Sequence, residues 1–101
     1  MTESHPGSAV RLTVTGEIDM ATVGALETAL RDAFAVPDAT GVVADFAGVT
    51  FCDSSGVAAL DRAYAEGVAR GITFCLTGVS GTVRRVLEIT GMLDALTDPG
   101  S

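Results

Sequence analysis

Alternation marks the first element. In AVRLTVT (9–15), Val10, Leu12 and Val14 fall on one side and Arg11, Thr13 and Thr15 on the other, the period of a half-buried strand. GEID (16–19) ends that run, and Asp19 stands where it can cap the next element. Residues 21–34 then change period: Val23, Leu26, Leu30 and Phe34 recur every three or four positions, an amphipathic helix. Glu27 and Arg31 would form an outward i,i+4 pair on it, and Pro37 stops it in the VPDATG loop. GVVADF (41–46) is a nearly continuous apolar run, which suits a strand covered on both faces. A break at Ala47-Gly48 precedes a second apolar piece, 49–52.

The next helix begins at once, over about 54–70, with Val57, Leu60, Tyr64 and Val68 on one face. Gly67 weakens its last turns by roughly 1 kcal/mol relative to alanine, and Gly71 ends it. ITFCLT (72–77) reads as a strand, and the turn GVSGT (78–82), with Ser80 as N-cap, feeds a helix placing Val83, Val86, Leu87 and Thr90 inward. Gly91 closes that helix, and residues 92–96 form a last apolar turn. Strand and helix alternate three times, which implies an α/β domain with right-handed crossovers and a largely parallel sheet. GEID, CDSSG and TGVSG would then share one edge, at the carboxyl ends of the strands, where function gathers in such sheets.

Composition narrows the chemistry. The 101 residues fit one domain, and 48% hydrophobic residues support a sizeable core. A net charge of −7, with six arginines and no lysine, argues against nucleic acid or an anionic membrane as partner. No uncharged run reaches the ~18 residues that span a bilayer, and the polar start lacks a signal-peptide core, so a cytoplasmic location is expected. Cys52 and Cys75 sit in apolar runs without metal-ligand spacing and read as buried thiols. Asp19, Asp45 and Asp53 could converge on a hard cation, but no calcium-loop pattern accompanies them, and no metal or other cofactor is expected. TGVSGT lacks the lysine of a P-loop.

The DSSG turn carries the main candidate. Ser54 and Ser55 fall at a helix start, where unpaired amides and the helix dipole favour an added negative charge. Hydrolysis by either serine would need a base, and the only histidine is His5, near the N-terminus, with no lysine to replace it. A non-enzymatic switch site fits better than catalysis, and spacing alone leaves it level with a plain helix start in which Asp53 or Ser54 is only the cap. Gly56 would clear space for a partner's backbone to approach.

Three stretches together resemble the anti-sigma factor antagonists, single-domain members of the STAS family. LTVTGEIDMATV (12–23) is similar to the family's first strand and its G-E-[IL]-D turn. VVADFAGVTFCDSSGVAAL (42–60) resembles the core signature of apolar strand, buried Asp, G-V-x-F, D-S-S-G and helix. GITFCLTGVSGTVRRVLEITGMLD (71–94) resembles the last strand and closing helix. The resemblance implies an α/β fold with a mostly parallel sheet of about four strands and helices packed on it. The domain would span 10–97, after a flexible N-terminus (1–9) whose edge strand is short or missing and before a tail at 98–101.

The resemblance also implies a function. Ser55 would be the phosphoacceptor, with Asp53, Ser54 and Gly56 forming its turn. Glu17, Asp19, Asp53, Ser54, Ser55, Gly56, Val57 and Gly78 would form the partner-binding surface. The implied partners are an anti-sigma factor that is also a serine kinase, captured by the unphosphorylated form, and a PP2C-type phosphatase. A second implied role is a STAS scaffold in a lipid- or solute-transport complex, without a phospho-switch.

Overall fold

The computed structural model describes residues 2–4 and 9–97. The expectations for residues 5–8 and for the tail at 98–101 lie outside them. Strand β2 (Ala9–Ile18) buries Val10, Leu12 and Val14 and leaves Arg11 exposed, as its alternation requires. It pairs in parallel with β3 (Gly41–Cys52), which pairs in parallel with β4 (Thr73–Thr77). A three-residue strand, β1 (Thr2–Ser4), closes the other edge antiparallel to β2, giving the order β1-β2-β3-β4. The ladder to β2 gives residues 2–4 backbone partners that their polar composition does not reveal. The edge strand is short, not missing.

Between the strands lie α1 (Val23–Phe34), α2 (Ser54–Arg70), α3 (Gly81–Ile89) and α4 (Leu93–Thr97). Because β2, β3 and β4 lie in sequence order, right-handed crossovers put α1 and α2 on the same face of the sheet. Phe34 of α1 meets Phe74 of β4 there, with ring centroids 5.9 Å apart. This corrects the two-sided reading of β3. Val42, Ala44 and Phe46 are buried, but Val43 and Asp45 are only half-buried, and Arg11 joins Asp45 across the uncovered face at 3.4 Å.

The two apolar pieces of β3 are one strand. Thr13 pairs with Asp45 but Thr15 with Gly48, and Gly16 pairs with Val49 but Glu17 with Phe51. Each step gives β3 one extra residue, two β-bulges that the sequence displays as a break. β2 likewise runs past Gly16 to Ile18, since β3 continues to pair with it as far as Cys52. The second bulge also turns Phe51 outward, 45% exposed, while Val49 and Cys52 stay buried.

Helix α2 faces the core with Val57, Ala59, Leu60, Ala63 and Gly67, while Val68, expected inward, is 67% exposed. Small residues win that face because α2 lies close to its neighbours: a Cβ on Gly67 would stand 2.5 Å from the Ile72 carbonyl oxygen. Gly71, at φ 69°, ends α2, and the Ile72 and Gly71 amides donate to the Gly67 and Val68 carbonyls. Glu27 pairs with Arg62 of α2 at 2.8 Å, not with Arg31, so it joins the two helices instead of bracing one. Thr90 is exposed, its hydroxyl donating back to the Val86 and Leu87 carbonyls.

Candidate functional site

Asp53 decides the geometry of the DSSG turn. Its backbone is extended (φ −93°, ψ −172°), which makes it the N-cap of α2. Its Oδ1 accepts hydrogen bonds from the Ser55 amide at 2.9 Å and the Gly56 amide at 3.3 Å. The Ser55 hydroxyl donates to the same oxygen at 2.5 Å. The choice between Asp53 and Ser54 as cap thus falls to Asp53, and Ser54 is left exposed. The Ser55 hydroxyl, and after it the Gly56 and Ser55 amides, hold the Asp53 carboxyl below the usual carboxylate range, against an opposing effect of desolvation.

A neighbouring turn carries Asp19. The Asp53 amide donates to the Ile18 carbonyl at 3.0 Å, which ties the DSSG turn to the end of β2. Asp19 Oδ1 accepts from the amides of Ala21 (2.9 Å) and Thr22 (3.1 Å), so it caps a turn that precedes α1. The helix itself begins at Val23, two residues later than its apolar spacing suggests. Thr22, absent from the expected site residues, knits this turn together. Its hydroxyl donates to the Glu17 carbonyl at 2.8 Å and accepts from the Asp19 amide at 2.9 Å. A hydroxyl three residues after an Asp at a strand end was the signal available. Met20, 84% exposed, stands at the tip of the turn.

The structure divides the expected partner surface. Glu17 is exposed, with Asp19, Asp53 and Ser55 half-buried beside exposed Ser54. Val57 is only 7% exposed and belongs to the core. Gly56 is buried too, and a Cβ there would lie 2.5 Å from Cys52 Sγ and 2.7 Å from Ile18 Cγ2. Its bareness lets α2 seat on the sheet, not a partner on α2. Gly78 packs on Ala47, five positions before Cys52, which places it roughly 15 Å up the strand from the DSSG turn. It lies so far back because β4 ends opposite Asp45 while β3 runs on.

The other candidates have separate duties. Asp45 is half-buried, not buried, and accepts from the Ala47 amide at 2.9 Å as well as from Arg11. Among the described residues, no three His, Cys, Asp or Glu side chains gather as they would around a metal ion. Ser80 occupies the N-cap position of α3, but its side chain makes no capping bond. Burial, and secondarily the charge of Asp53, pushes the Cys52 thiol up to about 11; burial also raises Cys75. No helix among the described residues is long and apolar enough to cross a membrane.

Fold and site define a one-sided α/β domain that presents two acid-capped turns side by side at the carboxyl end of its sheet. The sequence profile of the STAS domain matches residues 1–99, and the chain belongs to that family. An anti-sigma factor antagonist from Mycobacterium paratuberculosis has a similar structure: TM-score 0.79 and 27% identity, covering 96% of this chain and 80% of that one. The anti-sigma factor antagonist SpoIIAA in its unphosphorylated form matches at TM-score 0.72 and 26% identity, covering 93% and 83%. The Bacillus cell fate determinant SpoIIAA has also been solved in the phosphorylated form, at TM-score 0.62 and 26% identity over 87% and 79%. A sulfate transporter family protein from Wolinella succinogenes shares the fold at TM-score 0.73 and 21% identity, covering 92% and 75%. No curated protein sequence matches the chain significantly.

Proposed function

We propose that this STAS domain is an anti-sigma factor antagonist of the cytoplasm, switched by phosphorylation of Ser55. Unphosphorylated, it captures an anti-sigma factor that is also a serine kinase and so frees a sigma factor; a PP2C-type phosphatase restores this form. The observation that carries the reading is the Ser55 hydroxyl, held by Asp53 at the start of α2 beside the Asp19 turn. Antagonists at 26% and 27% identity, one of them solved in a phosphorylated form, support the same reading.

The electrostatics explain how one phosphate would suffice. The first-turn amides of Ser55 and Gly56 are already satisfied by Asp53, so a phosphate does not enter a vacant anion site. It removes the hydroxyl donor and adds about −1.5 to −2 charge next to two carboxylates. Either the phosphate displaces Asp53 from the amides or it projects toward the partner, and both outcomes change the edge that Glu17, Asp19 and Ser54 share. An interface complementary to a neutral serine then encloses an unpaired charge, which costs several kcal/mol and weakens binding by orders of magnitude.

Incubation with candidate anti-sigma kinases and ATP, followed by mass mapping, should place the modification on Ser55. Ser55→Asp should lose capture of the anti-sigma factor, whereas Ser55→Ala should bind without regulation. Equal binding by the two variants refutes the switch. The transporter-scaffold reading draws only on a shared fold and expects Ser55 to remain unmodified in the same assay.

A further inference from the structure

Among the described residues, Met20, Phe51, Val68 and Ile89 are the large apolar side chains left exposed, and the first two flank Glu17 at the carboxyl end of the sheet. Their placement follows from the strand register. Ile18 and Cys52 are paired and buried, and both face α2, since a Cβ on Gly56 would meet the two of them. Glu17 and Phe51 are the pair one step earlier on each strand, so they point to the opposite, uncovered face. Met20 approaches Glu17 from the other side. The Thr22 hydroxyl, bonded to the Glu17 carbonyl, folds the Asp19 turn back on that residue, and the Asp19 carboxylate holds the Ala21 and Thr22 amides. Met20 is therefore presented by a hydrogen-bonded turn and not by a loose loop.

Charge sorts the partners of this patch. The charged side chains of the GEID and DSSG turns are Glu17, Asp19 and Asp53, all carboxylates, and none forms an ion pair among the described residues. Four of the six arginines are paired elsewhere, with Asp45, Glu27, Glu66 and Glu88, while Arg31 and Arg85 lie on α1 and α3. We propose that Met20 and Phe51, with Glu17 between them, determine which partner the domain takes, by fitting a surface that carries an apolar socket and sets an arginine or lysine against Glu17. The inference rests on the proposed function for the identity of that partner, the anti-sigma factor, and adds the residues that recognise it. Apolar side chains exposed together mark an interaction surface, and covering such anchors supplies most of the energy at an interface centre. Methionine suits the contact because its unbranched thioether fills an irregular socket. An acidic partner surface would be repelled by the three carboxylates, and an uncharged one would bury Glu17 without a counter-charge. Ser55 opens α2 on the covered face, so a cation set against Glu17 does not stand opposite a phosphate at Ser55.

The test has two arms, both on the intact unphosphorylated chain. In the first, candidate anti-sigma factors are immobilised and capture is measured. Met20→Ser should weaken capture about tenfold or more, and Phe51→Thr, which keeps a strand-forming residue, about fivefold, each with an unchanged circular dichroism spectrum. Glu17→Gln should weaken capture and flatten its dependence on salt between about 0.05 and 0.5 M. Val68→Ser, fourteen residues along α2 from Ser54, should be captured as the parent is. Capture unaltered by Met20→Ser and Phe51→Thr overturns the inference and leaves the proposed function standing. Capture by no candidate counts against the proposed function, and the second arm then decides the surface by itself. There, an end-blocked hexapeptide alternating arginine and leucine should give saturable amide NMR shifts at residues 16–22 and 50–53, weakened by Met20→Ser. Peptides with glutamate in place of arginine, or serine in place of leucine, should not. No shifts, equal shifts from all three peptides, or shifts centred on other residues would each overturn the inference.

Discussion

Gly56→Ala separates two roles for this glycine, clearance for a partner and clearance for the fold. The added methyl would stand 2.5 Å from Cys52 Sγ and 2.7 Å from Ile18 Cγ2, whereas real Cβ contacts stay beyond 3.0 Å. Ile18 and Cys52 are each 2% exposed, so neither can swing into solvent, and the first turn of α2 must lift from the sheet. Overpacking of this kind costs about 1–3 kcal/mol. Alanine recovers up to about 1 kcal/mol in helix propensity, since Gly56 already has ordinary helical geometry. Two contacts inside 3.0 Å put the overpacking in the upper part of that range, so the expected net loss is about 1–2 kcal/mol, a fall in Tm of roughly 4–15 °C for a domain of this size. Equilibrium urea unfolding measures it as a lower midpoint at unchanged slope. Cys52→Ala removes the nearer clash, so the double variant should be more stable than the sum of the single losses by at least about 0.5 kcal/mol. A Gly56→Ala protein as stable as the parent, or strictly additive losses, would refute the packing argument and return Gly56 to the partner surface.

Other expectations are simpler. Asp53→Ala should lower Tm by uncapping α2. Because hydrogen bonds depress the Asp53 pKa, the difference from the parent should be full above the unfolded value near ~3.9 and close as pH falls through the lower folded value. Cys52 behaves in the opposite sense. Its thiol rises from 9.0 to about 11, so stability is full below pH 9 and declines as pH rises through about 11, a decline that Cys52→Ala should remove. Thr22→Val deletes the hydroxyl between Glu17 and Asp19 and should cost about 1 kcal/mol in urea unfolding, with amide NMR shifts confined to residues 17–23. A loss indistinguishable from zero would remove Thr22 from the turn's supporting structure.

Much of the candidate site was legible in the one-dimensional pattern. Strand alternation in 9–15, the helical stripe of Leu26, Leu30 and Phe34, and the strand-DSSG-helix junction are local, since each depends on a period or a cap within a few residues. Asp53 as a helix-starting residue and Asp19 as a turn former arise from the same short-range hydrogen bonding.

What tertiary structure decided lies in relations between distant segments. The two bulges exist because β3 must stay paired with a shorter β2, and that mismatch turned Phe51 outward and made Ala47-Gly48 resemble a break. Bare Gly56, buried Val57 and exposed Val68 reflect how closely α2 approaches the sheet and α1, a distance no periodicity encodes. Glu27 turned from a helix neighbour to Arg62 for the same reason. Local sequence specifies which backbone states and caps are favourable; only packing in three dimensions settles which side chains are left facing one another, and so which of them a partner can reach.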